Sequence, residues 1–377
     1  MSDTLELAKQ LIACRSITPD DGGCLDLIAA RLAKAGFARE RVDRGQARNL
    51  WARRGEGTPL VCLAGHIDVV PPGAVERWTS APFTPTERDG CLFGRGAADM
   101  KTSVAALVTA AERFVAGSPD HHGSLALVFT SDEEGAGIDG TAAVVEMLQS
   151  RGIRIDACIL GEPTSSALLG DMMKNGRRGS LNGVLKVKGV QSHIAYPEQG
   201  RNPVHAVLPA LTELASMELD RGNTDFSPTT FQISNMHAGA GANNTIPGAL
   251  EVWFNFRFST ESTVEQLKSR VHAILDAHDV DYDLAWTLTA TPFLSPRGRL
   301  VEVVREAVAS VTGVTPALST SGGTSDGRFL AEVSREVVEF GPVNKSIHAI
   351  DEHVALADIA PLSAVYERAI AELLRPG

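Results

Sequence analysis

The sequence predicts an α/β protein with a doubly wound mixed sheet, into which a ferredoxin-like α+β domain is inserted. Two observations support this. Before about residue 178 and again after 293, short apolar runs alternate with amphipathic helical segments, as in α/β layers. Between them the predicted order is strand, helix, strand, strand, helix, strand, the split βαβ arrangement. The chain of 377 residues also exceeds one ordinary core. We therefore predict a discontinuous domain, 1–178 plus 293–377, and an inserted domain, 179–292.

The elements of the discontinuous domain follow from hydrophobic periodicity and from breakers. Gly36 ends the second helix, and Pro59 introduces a short apolar run that indicates a buried strand. Helices are predicted over 4–14, 24–35, 101–114, 141–149, 299–311 and 358–374, and strands over 49–53, 60–64, 125–130, 156–160 and 336–340.

The inserted domain contains the clearest strand pattern of the chain. Val252, Phe254, Phe256 and Phe258 alternate with polar residues and Trp253, which is typical of a half-buried strand. Helices are predicted over 203–217, capped by Asn202, and over 263–278. The remaining strands are predicted over 184–187, 231–236 and 282–289.

Composition excludes several classes of protein. The net charge of −11 and the lack of a basic run argue against a nucleic-acid partner. No apolar stretch approaches membrane-spanning length, and the acidic, polar N-terminus is unlike a signal peptide. Five cysteines without Cys-x-x-Cys spacing favour a thiol-reducing cytoplasm. Two of them, Cys62 and Cys158, lie in apolar runs and are expected to be inert core residues.

Imidazole and carboxylate side chains follow the predicted buried strands. The carboxyl ends of parallel strands meet at one edge of a sheet, so these residues are expected to converge there. Each alone has an ordinary explanation, such as a surface histidine, a solvated turn or a strand end. Together, two histidines and three carboxylates can hold two metal ions about 3.5–4 Å apart, with a spare carboxylate left as a base. The candidates are His66, Asp68, Asp99, Glu133, Glu134, Glu162 and His348.

Other motifs suggest different classes of protein. Residues 323–327 form a literal Gly-x-Ser-x-Gly, which would make Ser325 the nucleophile of a serine hydrolase. Its downstream partners would be Asp351 and His353, which are only two residues apart, and the carboxylate cluster would remain unexplained. Residues 94–99 approach a dinucleotide fingerprint but lack its third glycine. A non-catalytic metal-binding protein on the same fold is a further alternative, against which the spare carboxylate argues.

Eight segments carry a resemblance that spans nearly the whole chain. They are residues 66–73, 94–101, 130–135, 161–165, 174–180, 193–197, 322–329 and 341–344. With these segments, the chain resembles the di-zinc amidohydrolases and exopeptidases of the aminoacylase and carboxypeptidase clan. More closely, it is similar to the N-succinyl-L,L-diaminopimelate desuccinylase family within that clan. Two departures are visible, Ile67 where the clan often has threonine and Arg201 where an acidic or small residue is expected.

The resemblance implies a role for each candidate ligand. Asp99 would bridge two zinc ions, His66 and Glu162 would complete one site, and Glu134 and His348 would complete the other; Co²⁺ would be able to replace one zinc ion. Asp68 would hold the far nitrogen of His66. Glu133 would take a proton from the attacking water and pass it to the leaving amine. The discontinuous domain would thus be catalytic.

The resemblance also implies a substrate and a partner. The substrate would be a small molecule with several carboxylates, N-succinyl-L,L-diaminopimelate, cleaved to succinate and L,L-diaminopimelate in lysine and cell-wall precursor synthesis. Arg177 and Arg257 would bind its carboxylates. Other pocket positions would be Ser180, Tyr196, Asn243, Gly323, Thr324 and Asn344. The inserted domain would form a homodimer and act as a lid, with His193 stabilising the oxyanion in the partner's site. Acetylornithine deacetylase, aminoacylase and dipeptidase activities stay open as alternatives.

Overall fold

The computed structural model describes residues 3–239 and 241–376, and the chain forms two compact units. The first unit covers residues up to 176, 294–319 and the chain from 325 onward; the second covers 177–293 and 320–324. The sequence analysis had not assigned 320–324 to the inserted segment. Two hydrogen bonds account for this difference: Thr320 Oγ1 donates to Asp225 O at 2.5 Å, and Arg177 Nη1 donates to Gly323 O at 3.3 Å.

The predicted α-helices are present close to their predicted positions, and the short helix Gly327–Val333 was not predicted. In the described residues they are α1 (Asp3–Ala13), α2 (Cys24–Lys34), α3 (Thr102–Gly117), α4 (Thr141–Ser150), α5 (Pro203–Ser216), α6 (Val264–Ala277), α7 (Arg299–Thr312), α8 (Gly327–Val333) and α9 (Leu356–Leu373). Shorter helical turns cover Val75–Arg77, Ala97–Lys101 and Pro197–Gln199. The predicted cap of α5 is present, because Asn202 Oδ1 accepts from Val204 N at 3.0 Å. At the start of α6, Thr263 forms a capping box with Gln266, which was not predicted.

The strands include every predicted one and several short ones. They are β1 (Ala38–Arg41), β2 (Asn49–Gly55), β3 (Leu60–His66), β4 (Thr86–Arg88), β5 (Cys91–Phe93), β6 (Ser124–Thr130), β7 (Ala157–Leu160), β8 (Met172–Lys174), β9 (Gly176–Arg177), β10 (Gly179–Lys188), β11 (Ser192–His193), β12 (Thr230–Ala238), β13 (Thr245–Ile246), β14 (Ala249–Phe258), β15 (Tyr282–Ala290), β16 (Phe293–Leu294), β17 (Ala317–Ser319), β18 (Val337–Glu339) and β19 (His353–Ala355). Strands of two to four residues, such as β8 and β17, carry too little periodicity for prediction.

The first unit contains an eight-stranded mixed sheet in the order β1-β2-β6-β3-β7-β18-β8-β17. Its four central strands, β6, β3, β7 and β18, run parallel to one another. Helices α1, α2, α3, α7 and α9 share one apolar core with these strands, and α4 packs against α8, β2 and β6. The predicted doubly wound mixed sheet is confirmed, and the carboxyl ends of its four central strands lie side by side.

The second unit contains a four-stranded antiparallel sheet in the order β12-β14-β10-β15, which is the ferredoxin-like order. The alternation in β14 is confirmed, because Phe254, Phe256 and Phe258 are buried whereas Trp253 is 46% exposed. These phenylalanines pack with α5 and α6 in a core of their own. Within the described part of the chain, no helix is both long enough and apolar enough to cross a membrane.

Candidate metal centre

Two candidate ligands of the first unit lie at the carboxyl ends of neighbouring parallel strands. His66 is the last residue of β3, and Glu162 lies two residues beyond the end of β7. Each is preceded by a glycine, at 65 and 161, where an added Cβ would lie 2.4 Å and 2.7 Å from the Met100 methyl carbon. Met100 therefore packs against both strand ends, and its neighbour Asp99 is held beside them.

Asp99 faces both predicted histidines with different oxygens. Its Oδ1 lies 3.1 Å from His66 Nε2, and its Oδ2 lies 3.5 Å from His348 Nε2. His348 Nε2 is also 3.0 Å from Glu134 Oε1. Ligand atoms within 4.8 Å of one another define two triads, His66, Asp99 and Glu162, and Asp99, Glu134 and His348. The two triads share Asp99, so its carboxylate occupies the position of a bridge.

Asp68 supports this arrangement in two ways. Its backbone carbonyl lies 2.9 Å from His66 Nδ1, whereas its carboxylate Oδ1 is 3.6 Å from that nitrogen. A proton on Nδ1 donated to this carbonyl leaves Nε2 free to bind a metal. The carboxylate instead accepts from the backbone N–H of Glu133 at 3.4 Å and of Glu134 at 3.1 Å. Asp68 thus orients the imidazole mainly through its backbone and orients the glutamate turn through its side chain.

The electrostatics of the cluster favour a cation. Burial lowers the pKa of His66, but contacts with Asp68 and Asp99 outweigh it and raise the pKa well above its ordinary value. Contacts with Asp99 and Glu134 raise the pKa of His348 to about 10. Burial would raise the pKa of Asp99, but the two imidazoles hold it below its usual range. The carboxylates therefore favour positive charge at both histidines. A divalent cation can supply this charge in place of the imidazole protons.

Glu133 belongs to neither triad formed by the described residues. Burial, and then the charge of Glu162, raise the pKa of its carboxyl well above the ordinary value. A carboxylate whose pKa is raised is a stronger proton acceptor than an ordinary glutamate, which suits it to proton transfer. The arrangement therefore separates a group able to move protons from five residues able to hold ions.

The donor set fits two borderline metal ions such as zinc. Each triad offers one imidazole nitrogen and two carboxylates, which are ligand types that bind zinc, and three protein ligands leave a position open for water or substrate. His348 lies in the left-handed backbone region at φ 59°, which is rare for a residue other than glycine. Such backbone outliers concentrate at functional sites, and this one directs the imidazole towards Asp99.

Comparison with known proteins places this site in a family. Residues 62–372 match the profile of "Peptidase family M20/M25/M40". This chain belongs to peptidase family M20/M25/M40. A relative named succinyl-diaminopimelate desuccinylase, from Thiobacillus denitrificans, is 60% identical over 99% of this chain and 95% of that protein.

Solved structures of the M20 family share the fold. The M20 family metallo-carboxypeptidase Sso-CP2 from Sulfolobus solfataricus superposes with a TM-score of 0.81 at 16% identity, over 98% of this chain and 99% of that one. The Bacillus subtilis YXEP protein, described as a dinuclear metal binding peptidase from the M20 family, gives a TM-score of 0.74 at 15% identity, over 98% and 97% of the two chains. At these identities the structures establish the fold alone.

Sequence reasoning missed the residue that fixes the backbone around Asp99. The Glu352 carboxylate is 1% exposed and accepts from the backbone N–H groups of Gly96, Ala98 and Asp99, each at 2.9 Å. Arg95, also buried, completes the cluster with an Nη1 to Oε2 distance of 2.7 Å. Glu352 follows Asp99 by 253 residues in an ordinary acidic loop, so no local signal identified it.

The structure gives no support to a serine hydrolase built on Ser325. Ser325 is fully buried, and its hydroxyl donates to the carboxylate of Glu339. His353 Nδ1 contacts Asp351 O at 2.8 Å, and its ring packs against Phe93. Neighbouring Asp326 accepts from Thr141 Oγ1 at 2.7 Å. These contacts indicate that the Gly-x-Ser-x-Gly segment has a structural role in the fold.

The predicted substrate-pocket residues divide between the units. Asn344 belongs to the first unit, where its N–H donates to Ser165 O at 2.9 Å in the loop before His348. In the second unit, Ser180 accepts from Asn255 Nδ2 at 3.0 Å, and Arg177 Nη1 lies 3.3 Å from Ser321 O. The other predicted members in this unit are Gly323, Thr324, Arg257, Tyr196 and Asn243.

His193 lies on the short strand β11, which pairs with β13. Its Nδ1 accepts from Ala195 N at 3.1 Å, and its ring centroid is 5.7 Å from that of Tyr196. His193, Tyr196 and Asn243 are all exposed. Their side chains are therefore available for contacts outside the second unit's own core.

Proposed function

We propose that this chain is a di-zinc amidohydrolase that cleaves the succinyl amide of N-succinyl-L,L-diaminopimelate, releasing succinate and L,L-diaminopimelate. The reaction would belong to lysine and diaminopimelate biosynthesis in the cytoplasm. The observation that carries the proposal is the pair of triads that share Asp99, with Glu133 beside them. The name of the full-length relative at 60% identity supports the choice of substrate.

The side chains divide the work of amide hydrolysis. His66 and Glu162 would hold one ion, Glu134 and His348 would hold the second, and Asp99 would serve both. When bound, such ions polarise a carbonyl group and lower the pKa of water towards about 7. Glu133 takes the proton of the attacking water and delivers it to the leaving amine. Asp68 keeps His66 in the tautomer with Nε2 free and keeps the glutamate turn in place.

Substrate recognition is assigned to cationic and polar groups. Arg177 and Arg257 bind substrate carboxylates, because a planar guanidinium pairs with a carboxylate through two hydrogen bonds. The other proposed pocket positions are Ser180, Tyr196, Asn243, Gly323, Thr324 and Asn344. Zinc is the proposed ion at both positions, and one of the two zinc ions is proposed to be replaceable by Co²⁺.

The second unit is proposed to form the homodimer and to act as a lid, and the first unit is proposed to be the catalytic domain. His193 is exposed, and in the sequence it is distant from all five proposed metal ligands. We assign it as an oxyanion stabiliser in the partner's site, a role worth about 10²–10³ in rate. Each active site would then need two chains.

A substrate comparison tests the activity. Amine release from N-succinyl-L,L-diaminopimelate should exceed release from N-acetylornithine, and 1,10-phenanthroline should abolish it while a serine-directed phosphonate should not. Faster hydrolysis of N-acetylornithine or of dipeptides would instead assign the chain to another amidohydrolase of the clan. Inhibition by the phosphonate alone would reject the metal mechanism.

Mixed dimers test the role of His193. His193→Ala and Glu133→Ala should each be nearly inactive. Unfolded together and refolded, they should recover activity, because a mixed dimer has one site with an intact Glu133 and an intact His193 from the partner. The proposal fails if mixed dimers form and remain as inactive as the two parents.

A further inference from the structure

Two cysteines of the first unit meet where α1 ends and α2 begins. Cys14 follows the last residue of α1, and Cys24 is the first residue of α2. Their thiols lie against consecutive carbonyls of α1: Cys14 Sγ is 3.4 Å from Gln10 O, and Cys24 Sγ is 3.8 Å from Leu11 O. Cys14 is partly exposed, whereas Cys24 is fully buried.

A buried lysine completes this cluster. Lys101 Nζ donates to Leu11 O and to Cys14 O, both at 2.8 Å, so Cys24 Sγ and the ammonium group share one carbonyl oxygen. Interaction with the Cys24 thiol lowers the pKa of the Cys14 thiol to about 6, against burial, with a smaller contribution from Lys101. The exposed member of the pair is therefore the more acidic one, and its thiolate is the nucleophilic form.

We propose that Cys14 and Cys24 are a redox-active dithiol, which a low-molecular-weight disulfide converts into an intramolecular disulfide. The accessible Cys14 thiolate attacks one sulfur of oxidised glutathione, forming a mixed disulfide and releasing one glutathione thiolate. Cys24 then attacks the Cys14 sulfur, and its proton passes to the departing glutathione sulfur, which leaves as the second thiol. Two cysteine thiols are oxidised, and one glutathione disulfide is reduced to two thiols.

The segment between Cys14 and Cys24 lies next to the chain that carries two of the candidate site residues. The segment between the two cysteines runs beside the end of β3, where Ser16 O accepts from Val69 N at 2.8 Å and Thr18 N donates to Val69 O at 3.1 Å. Ser16 Oγ also donates to Ile67 O at 2.6 Å. A disulfide would close this segment into a covalent loop next to the chain that carries His66 and Asp68.

The same chain provides a matched internal control. Cys62 and Cys158 are direct partners across the neighbouring strands β3 and β7, and both are fully buried. Exchange requires access of the small disulfide to a thiolate, so this pair should stay reduced in the folded protein. The neighbouring Cys62 thiol, and then burial, raise the pKa of Cys158, which further disfavours its reaction.

The test treats the full-length protein with increasing ratios of oxidised to reduced glutathione. After trapping free thiols with iodoacetamide, peptide mass spectrometry should find a Cys14–Cys24 cross-link that dithiothreitol reverses. Cys62 and Cys158 should be alkylated only after the chain is unfolded in guanidinium. Accumulation of glutathione on wild-type Cys14, or an unreacted Cys14 at high oxidised glutathione, would overturn the proposal.

Single variants separate the two steps. Cys24→Ser should stop at a stable glutathione adduct on Cys14, Cys14→Ser should leave Cys24 reduced, and Cys91→Ser should form the cross-link as the wild type does. If Cys24 in Cys14→Ser takes up glutathione as fast as Cys14 does in the wild type, or if Cys91 reacts as fast as Cys14, the assignment of Cys14 as the nucleophile is wrong. The wild-type cross-link is measured independently of whether any variant folds.

Discussion

Replacing Glu352 with glutamine should destabilise the protein and weaken metal binding together. The carboxylate accepts three backbone N–H groups at 2.9 Å and pairs with Arg95 at 2.7 Å, with side chains only 1% and 3% exposed. An amide keeps the shape but removes the charge, and it turns an N–H₂ group towards these donors. A buried guanidinium is then left uncompensated.

The magnitude follows from the burial of the pair. Breaking a buried ion pair by removing one partner costs about 3–5 kcal/mol, a large part of a total stability of about 5–15 kcal/mol. One of the three N–H groups belongs to Asp99, the shared member of both triads. Loss of a supporting hydrogen bond of this kind typically lowers metal affinity by about 10–100-fold.

Two measurements on Glu352→Gln check this reasoning. Urea unfolding with the metal chelated gives the free energy of unfolding without the contribution of metal binding. Zinc affinity is measured separately, against a competing chelator. The control is Glu367→Gln, whose partner Arg113 lies at 2.6 Å but whose pair is about 40% exposed. That change should cost no more than about 1 kcal/mol. If Glu352→Gln matches this control in both measurements, Glu352 does not hold Asp99.

Three further substitutions test the base, the strand ends and the inserted domain. Glu133→Gln should retain two zinc ions by metal analysis and lose about 10²–10⁴ in rate; an empty metal site would contradict the role of Glu133 as base. Gly161→Ala should lower the free energy of unfolding by about 1–3 kcal/mol, because its Cβ would lie 2.7 Å from a methionine methyl, whereas Gly117→Ala meets nothing within 4 Å and should not destabilise the protein. Thr263→Ala should cost about 1 kcal/mol in urea unfolding through loss of its capping box, and the exposed Thr224→Ala should be neutral; equal effects would reject the cap.

Part of the candidate site could be predicted because two of the proposed ligands lie at the ends of apolar runs, which the sequence shows directly. His66 ends an apolar run, and Glu162 follows another, so their place at the edge of the sheet depends only on strand assignment. Asp68 was expected to hold the far nitrogen of His66, without a choice between its carboxylate and its backbone. The structure gives the shorter contact, 2.9 Å, to the backbone carbonyl, a choice set by backbone geometry that residue type does not encode.

The sequence by itself determined the fold class, the order of the elements and the residues available for metal binding. These depend on periodicity and strand ends, which are local, as in the alternation of Phe254 and Phe256 in β14. Only the tertiary structure decided which distant groups meet: Glu352 with the backbone of Asp99, 253 residues apart, and Cys24 with the end of α1. Such contacts arise when helices and strands pack into one core. A buried polar group then takes whichever partner the packing brings within hydrogen-bonding distance, and no local pattern in the chain specifies that partner.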